Sequence, residues 1–454
     1  MSFMFTDLLI STLGKEKVST SETEKYRHSH DESSHTEVEP DVVCFPESKE
    51  DVQKIIEIAN KHQVAVTAYG AGSGLEGQAI PVKKGISVNF ERMNQILDFS
   101  PEDMTITVQP GLTRLQLNER INKHGLQFPI DPGADASIGG MVATNASGTT
   151  AVRYGSMRDQ VLDLEVVLAD GRIIKTGSRA KKSSSGYHLT GLFTGSEGTL
   201  GLITEITLKL HGIPEHVIAA RCTFPTVEKC AEAAYTILAS DIPVMRMELV
   251  DASSIQVVND YGDYGFPVEH SLFFEFAGAK SSVEAQVTLA EELMKDLGCK
   301  HWDIAEDSMK RNEIWKARHE MAYAFRHQKG KKFFSTDICV PISRLPELVH
   351  FARQLLEEKR LKGGILGHVG DGNFHTLIMF DPYDEDEKRR AEEFNEKLVL
   401  KAIEVDGTCT GEHGVGLGKM KYQIAEHGEA VGVMKSIKNL LDPNNLLNPG
   451  KIFI

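Results

Sequence analysis

Two short motifs near the C-terminal end hold residues that could bind a metal and move a proton. Gly367-His368-Val369-Gly370-Asp371-Gly372-Asn373-Phe374-His375 sets two imidazoles among glycines, and Gly411-Glu412-His413-Gly414 adds a carboxylate and a third imidazole. If Gly370 to Asn373 form a turn, Val369 pairs with Phe374 and His368 with His375, so the two rings are cross-strand neighbours on one face. Glu412 can then close the set as an oxygen ligand. The competing view is that both histidines simply cap a glycine-rich hairpin. On these residues alone, metal-assisted hydrolysis and oxidation are equally open.

The elements that must position these groups follow from periodicity. Val217 to Phe224, Met245 to Val250, Leu272 to Phe276 and Phe333 to Val340 read as strands. Between and after them, Val227 to Ala239, Val283 to Leu297, Leu345 to Leu361, Glu385 to Val405 and Val431 to Leu441 have helical spacing, the last stopped by Asp442-Pro443. This alternation predicts an antiparallel sheet covered by helices, an α+β domain. The first half has a different texture. A helix capped by Ser48 is followed by a strand from Val64 to Tyr69. A second strand, Met104 to Val108, precedes a helix from Thr113 to His124, and a hairpin turns at Asp170-Gly171 before a strand over Leu202 to Leu210. The stretch from Arg27 to His35 contains His28, His30 and His35 but has turn composition and no periodicity. It reads as a solvated loop without function.

Composition limits the function classes. A chain of 454 residues exceeds one hydrophobic core, and 41% hydrophobic with 25% charged residues is ordinary globular composition. A net charge of -15 disfavours nucleic acid and requires a local cationic pocket for any anionic substrate. The six cysteines are scattered and form no Cys-x-x-Cys pair, which removes an iron-sulfur motif and, with no signal-peptide pattern, points to a reduced, cytoplasmic setting. No run reaches the roughly 20 apolar residues of a membrane helix, so any membrane association is expected to be peripheral.

Three glycine-rich stretches lie in the first half. They are Gly70-Ala71-Gly72-Ser73-Gly74-Leu75-Glu76-Gly77, Pro132 to Gly148, and Gly195-Ser196-Glu197-Gly198-Thr199-Leu200-Gly201. Glycine permits the dihedral angles and the close approach by which backbone N–H groups converge on phosphate. The spacing is not the Gly-x-Gly-x-x-Gly of a Rossmann unit, so a large phosphate-bearing cofactor other than a nicotinamide dinucleotide is implied.

Tyr69 to Leu75, Pro132-Gly133-Ala134-Asp135, Gly139-Gly140-Met141, Tyr154-Gly155, Gly195 to Gly201 and Asn448-Pro449-Gly450-Lys451 together resemble the FAD-linked oxidoreductases of the vanillyl-alcohol-oxidase type. The second half, with Ser335 to Pro346 and the two histidine motifs, is similar to the D-lactate dehydrogenase (cytochrome) and glycolate oxidase branch. The resemblance runs from about Pro40 to Lys451. It implies a two-domain FAD-binding fold with an antiparallel-sheet cap: an FAD domain over 1–211, a substrate and metal domain over 212–425, and a returning segment over 426–454.

The cofactor would be held by Tyr69, Gly70, Ala71, Gly72, Ser73, Gly74, Leu75 and Gln78; by Pro132, Gly133, Ala134, Asp135, Ser137, Gly139, Gly140, Asn145 and Gly148; by Tyr154, Gly155, Glu197, Gly198, Gly201 and Ile203; and by Asn448 and Lys451. His368, His375 and Glu412 match the family's metal ligands, and a mixed nitrogen and oxygen set suits Zn or Mn. His413 is then the general base. Arg318, in Trp315-Lys316-Ala317-Arg318-His319-Glu320, matches the family's carboxylate-binding arginine, against the alternative of a surface helix salt bridge. The implied reaction is oxidation of a short D-2-hydroxy acid, D-lactate first, with glycolate and D-2-hydroxyglutarate as alternatives. An external quinone, cytochrome or flavoprotein subunit would take the electrons, and an oligomer is compatible with all of this. A metal-dependent hydrolase and a non-catalytic subunit of a glycolate oxidase complex are the competing readings.

Overall fold

The computed structural model describes residues 2–262, 264–328 and 330–453. The chain forms two compact units, one built from residues 1–148, 154–213 and 412–454, the other from 149–153 and 214–411. The chain thus leaves the first unit close to residue 211 and re-enters it at Glu412, ahead of the return expected after 425.

The first unit carries a four-stranded sheet in the order Val18–Ser19, Val42–Cys44, Ile86–Asn89, Val66–Tyr69. Beside it in the chain is a five-stranded antiparallel sheet in the order Ile96–Ser100, Thr105–Val108, Leu202–Lys209, Val161–Val167, Ile173–Lys175. The helix Lys49–His62 starts where Ser48 accepts from the Asp51 amide, and it ends at Gln63 in the left-handed conformation. Its Val52, Ile55 and Ile56 share a core with Val66, Val88, Val167 and Leu202, tying both sheets to one helix. The final helix, Ala430–Leu441, leads to Leu447, which bridges to Val66, so the chain end is built into this unit.

One expectation is corrected here. Residues 28–35 are irregular, as expected of a loop, but not wholly solvated: His28, Ser29 and Asp31 are buried. Glu22–Arg27 is helical, and His28 is fully buried, with its Nε2 2.9 Å from Asn89 Nδ2 and its ring 4.3 Å from that of Tyr69. The polar residues of this loop bond inward: His28 bonds to Asn89, Ser29 Oγ donates to the Tyr26 carbonyl, and Asp31 Oδ1 accepts from the Ser33 amide.

In the second unit the sheet path is His301–Ala305, His216–Phe224, His270–Gly278, Val244–Val250, Lys362–Gly367, Asn373–Phe380, Lys332–Ser335, with antiparallel pairing throughout. Helices Val227–Ala239, Lys280–Asp296, Leu345–Glu358 and Glu385–Glu404 agree with the periodicity to within a few residues. The predicted strand Phe333 to Val340 is split. Lys332–Ser335 and Ile338–Cys339 both pair with Asn373–Phe380, but Thr336 and Asp337 between them are fully buried and bond through their side chains. The architecture is the expected two-unit α+β fold.

The hairpin that carries the histidine pair is tight. A Cβ on Gly367 would lie 2.4 Å from the Phe374 Cα across the ladder, closer than any neighbour can yield without backbone movement. Gly367→Ala should therefore destabilise this unit by about 1–3 kcal/mol. Chemical denaturation compared with wild type checks it, and an unchanged midpoint would show that the crossing at Gly367 opens to accept a methyl group without cost.

Candidate active site

The hairpin register places the two histidines. Leu366 lies opposite His375 and Ile365 opposite Thr376. His368 is therefore not directly across from His375, as the turn assumed from sequence requires; the pairing is displaced by two residues. A two-residue displacement preserves the face, because side chains alternate with period two. Leu366 and His368 share the side on which His375 stands, and the rings meet at 5.6 Å between centroids, nearly perpendicular. The longer loop closes with the Asp371 amide donating to the His368 carbonyl at 3.0 Å and with Gly372 at φ +78°, where a Cβ would strike the Val340 carbonyl.

Each ring has its Nδ1 engaged. His368 Nδ1 is 2.6 Å from Glu248 Oε1, and His375 Nδ1 is 3.0 Å from the Thr336 carbonyl oxygen. With both Nδ1 atoms donating, Nε2 carries the lone pair on both rings, the tautomer that a metal requires. Both side chains are largely buried. The donor set thus fits a divalent cation.

Glu248 was not foreseen. It stands in Val244–Val250, fully buried, and its second oxygen accepts from Arg318 Nε at 2.9 Å and Nη2 at 2.5 Å. Burial would push Glu248 up, but His368 and Arg318 against its two oxygens hold it down at about 2. Arg318, on the helix Ser308–Arg326, is therefore a buried residue and not a surface salt bridge. The available signal was a lone carboxylate on the apolar strand Met245 to Val250.

Asp337 was also missed. Its Oδ1 accepts from Asn373 Nδ2 at 2.8 Å and its Oδ2 from Thr410 Oγ1 at 2.7 Å. The Thr408 amide donates to the Cys339 carbonyl at 2.8 Å, and a Cβ on Gly411 would lie 2.1 Å from Asn373 Nδ2. The segment ending at Gly411 is thereby fastened beside the histidine strand, and Glu412 and His413 are the next two residues of the chain.

Within the first unit, Glu412 Oε2 accepts from Ser147 Oγ at 2.9 Å. The His413 carbonyl accepts from Gln78 Nε2 at 2.7 Å, and its Nδ1 lies 3.9 Å from Glu76 Oε1. These bonds tie the Glu-His motif to the first glycine loop and to the end of the second. In that first loop, Gly70 faces Ser137 Oγ, Gly72 has φ +70°, and Gly74 faces the Gln78 side chain. Among the described residues, no backbone N–H from Ala71 to Leu75 has a protein acceptor, as expected of a nest that binds phosphate. Tyr69 anchors the loop's start by donating to the Arg27 carbonyl at 3.1 Å.

The remaining predicted residues divide by role. Ser137 caps Ile138–Thr144, which contains Gly139 and Gly140; Asn145 ends that helix in the left-handed conformation. Gly148 sits against the Asp131 carbonyl, and Gly155 and Gly198 have positive φ. Pro132, Gly133, Ala134 and Asp135 form a partly exposed turn, in which Asp135 accepts from the Leu115 amide at 3.2 Å. Tyr154 packs on His211, Gly201 lies against Val166, and Ile203 is in the strand Leu202–Lys209.

Asn448 Nδ2 donates to the carbonyls of Gln78 at 3.1 Å and Glu197 at 2.8 Å, and Lys451 Nζ donates to those of Gln78 at 2.9 Å and Ile80 at 2.8 Å. The terminal motif thus staples the first and third glycine loops together. Glu197 accepts from the Val415 and Gly416 amides.

The chain matches the family model "FAD linked oxidases, C-terminal domain" over residues 213–452 and "FAD binding domain" over 40–177. The chain belongs to the FAD-linked oxidases. It is 46% identical to the probable mitochondrial D-lactate dehydrogenase of Danio rerio, with 97% of this chain and 90% of that protein covered. It is 43% identical to the mitochondrial D-lactate dehydrogenase [cytochrome] of Arabidopsis thaliana (98% and 79% covered) and 33% identical to glycolate oxidase subunit GlcD of Bacillus subtilis (98% and 96%). Among solved structures, p-cresol methylhydroxylase shares the fold at TM-score 0.80 and 17% identity, with 99% and 96% covered. Alkyldihydroxyacetonephosphate synthase shares it at 0.79 and 19%, with 98% and 85% covered.

Family membership removes the hydrolase reading, because the first two glycine stretches lie within the FAD-binding domain match. The cytoplasmic expectation is also corrected, since the relatives from Danio rerio and Arabidopsis thaliana are mitochondrial proteins. Reduced, scattered cysteines do not discriminate between reducing compartments, so they could not carry that inference. Among the described residues, no helix is long and apolar enough to cross a membrane.

Burial pushes Glu197 up to about 7 in spite of the Val415 and Gly416 amides. Its folded value therefore lies above the ordinary 4.5, so its contribution to stability is complete below pH 4.5 and lost as pH rises through 7. Glu197→Met should abolish this slope. Between pH 5 and pH 8 the unfolding free energy from denaturant titration should fall by on the order of 2 kcal/mol more in wild type than in the variant; parallel profiles would contradict the assignment.

Proposed function

We propose that the chain is an FAD-linked D-2-hydroxy-acid dehydrogenase that oxidises a short monocarboxylate, D-lactate in first place, to the 2-oxo acid. The observation that carries this reading is the His368 and His375 pair, each ring fixed through Nδ1, in a chain of the FAD-linked oxidase family. Glu412 is proposed as the third ligand of a Zn or Mn ion, completing a nitrogen and oxygen set. When bound, the ion would supply acidification of the substrate hydroxyl and FAD would supply the acceptor for the α-hydrogen.

The chain's own residues do the rest. His413 takes the hydroxyl proton, its main chain held by Gln78 at 2.7 Å. Arg318 binds the substrate carboxylate with the donors that Glu248 does not take. The cofactor lies along Tyr69 to Gln78, Pro132 to Gly148, Tyr154-Gly155 and Glu197 to Ile203, with Asn448 and Lys451 bracing the loops. A single substrate carboxylate is favoured because the strand Lys332–Ser335 continues into Ser335-Thr336-Asp337, and Lys331 is engaged by Glu387 at 3.1 Å. Electrons leave to a protein or quinone acceptor; relatives from Arabidopsis thaliana and Saccharomyces cerevisiae carry "cytochrome" in their names.

Anaerobic mixing with D-lactate, L-lactate, glycolate and D-2-hydroxyglutarate, followed by flavin absorbance, tests substrate and stereochemistry together. D-lactate should bleach the flavin fastest; faster bleaching by glycolate would transfer the assignment to the glycolate oxidase subunits. His413→Ala should keep FAD bound and slow reduction by about 10²-fold or more. A chelator should abolish reduction without releasing FAD, and added Zn or Mn should restore it.

A further inference from the structure

Glu248 touches both groups that the proposed reaction needs in the second unit. Its Oε1 lies 2.6 Å from His368 Nδ1, and its Oε2 takes Arg318 Nε at 2.9 Å and Nη2 at 2.5 Å. The strand holds it there. Leu249 pairs with Gly367, so Glu248 stands across from His368 one step beyond the ladder, while Phe273 pairs with it on the other side. The side chain is fully buried.

We propose that Glu248 is a positioning residue whose two carboxylate oxygens fix the tautomer of His368 and the orientation of Arg318 together, coupling metal binding to recognition of the substrate carboxylate. The inference rests on the reading of His368 as a metal ligand and Arg318 as the carboxylate clamp. A carboxylate behind a ligating imidazole holds the proton on Nδ1 and makes Nε2 a stronger donor. His375 Nδ1 bonds instead to the Thr336 carbonyl at 3.0 Å, and its nearest carboxylate, Asp337, stands at 3.7 Å, beyond hydrogen-bond distance. Stability alone gives little reason for the arrangement, since buried ion pairs are often no better than apolar residues of the same volume.

The chemistry of an amide separates the two roles. In Glu248→Gln the amide oxygen can serve the two Arg318 donors, but its NH2 then faces His368 Nδ1. That nitrogen must become an acceptor, the ring proton moves to Nε2, and the lone pair needed by a metal is lost. Glu248→Asp keeps the charge but is shorter by about 1.5 Å, so it reaches one partner and not both.

The test uses the FAD-loaded enzyme stripped of metal. Zn and Mn affinities are measured by competition with a chromogenic chelator, and KM and kcat for D-lactate by flavin reduction. Glu248→Gln should weaken metal binding about 10- to 100-fold and raise KM, with FAD content unchanged. Glu248→Asp should recover one of the two properties and leave the other impaired, and it carries the test if the Gln variant does not fold. Wild-type affinity and KM in either folded variant would overturn the inference alone. A wild-type protein that binds neither ion would overturn the metal reading on which it rests.

Discussion

In the hairpin of Lys362–Gly367 and Asn373–Phe380, Leu366 stands opposite His375, and this register decides which side chains face Glu248 and Arg318. A slip of one residue would turn His375 to the opposite face and put Thr376 and Phe374 in its place. Glycine enforces the register. Gly367 presses on Phe374, Gly364 on Ser254 and Phe325, and Gly372 on the Val340 carbonyl, so each marks a crossing too close for a side chain. The break at Thr336 and Asp337 serves the same end. Thr336 keeps one backbone bond, to the Thr376 carbonyl, while its own carbonyl turns to His375, and Asp337 fastens Thr410 and Asn373.

The first unit achieves rigidity by a different route. Its glycine loops have little side-chain volume to pack, so they are fixed by polar groups from distant parts of the chain. Asn448 and Lys451 donate to carbonyls of residues 78, 80 and 197, and Gln78 passes the restraint to His413. Lys451 is buried, and burial holds it down at about 8 against the opposing pull of Glu197 and Asp31.

Elements with regular periodicity were legible from the residues. Val227–Ala239, the Ser48 cap, the helix that begins after Thr113 and the hairpin at Asp170-Gly171 fall where local chemistry puts them. What composition did not show was burial. Residues 28–35 form a loop, as their serine, histidine and acidic residues suggest, yet His28, Ser29 and Asp31 are buried. Glu248 and Asp337 were invisible for a related reason. Their partners are 120 and 36 positions away, so no local spacing announces them. The histidine pair was legible as a pair on one face, but its register was not, because a two-residue change in loop length leaves the alternation intact.

The arrangement also bears on how an acidic protein can recognise an acid. Arg318 is the natural clamp for a carboxylate, but Glu248 already offsets its charge, and the pair is fully or largely buried. A substrate anion arriving there meets a nearly neutral ion pair. In the proposed reading the net positive charge comes from the divalent ion on His368 and His375, so anion binding and metal binding are linked. This assigns orientation to Arg318 and charge to the metal. It favours a compact 2-hydroxy acid, whose hydroxyl and carboxylate can reach both, over a longer acid whose second carboxylate would require a further cation.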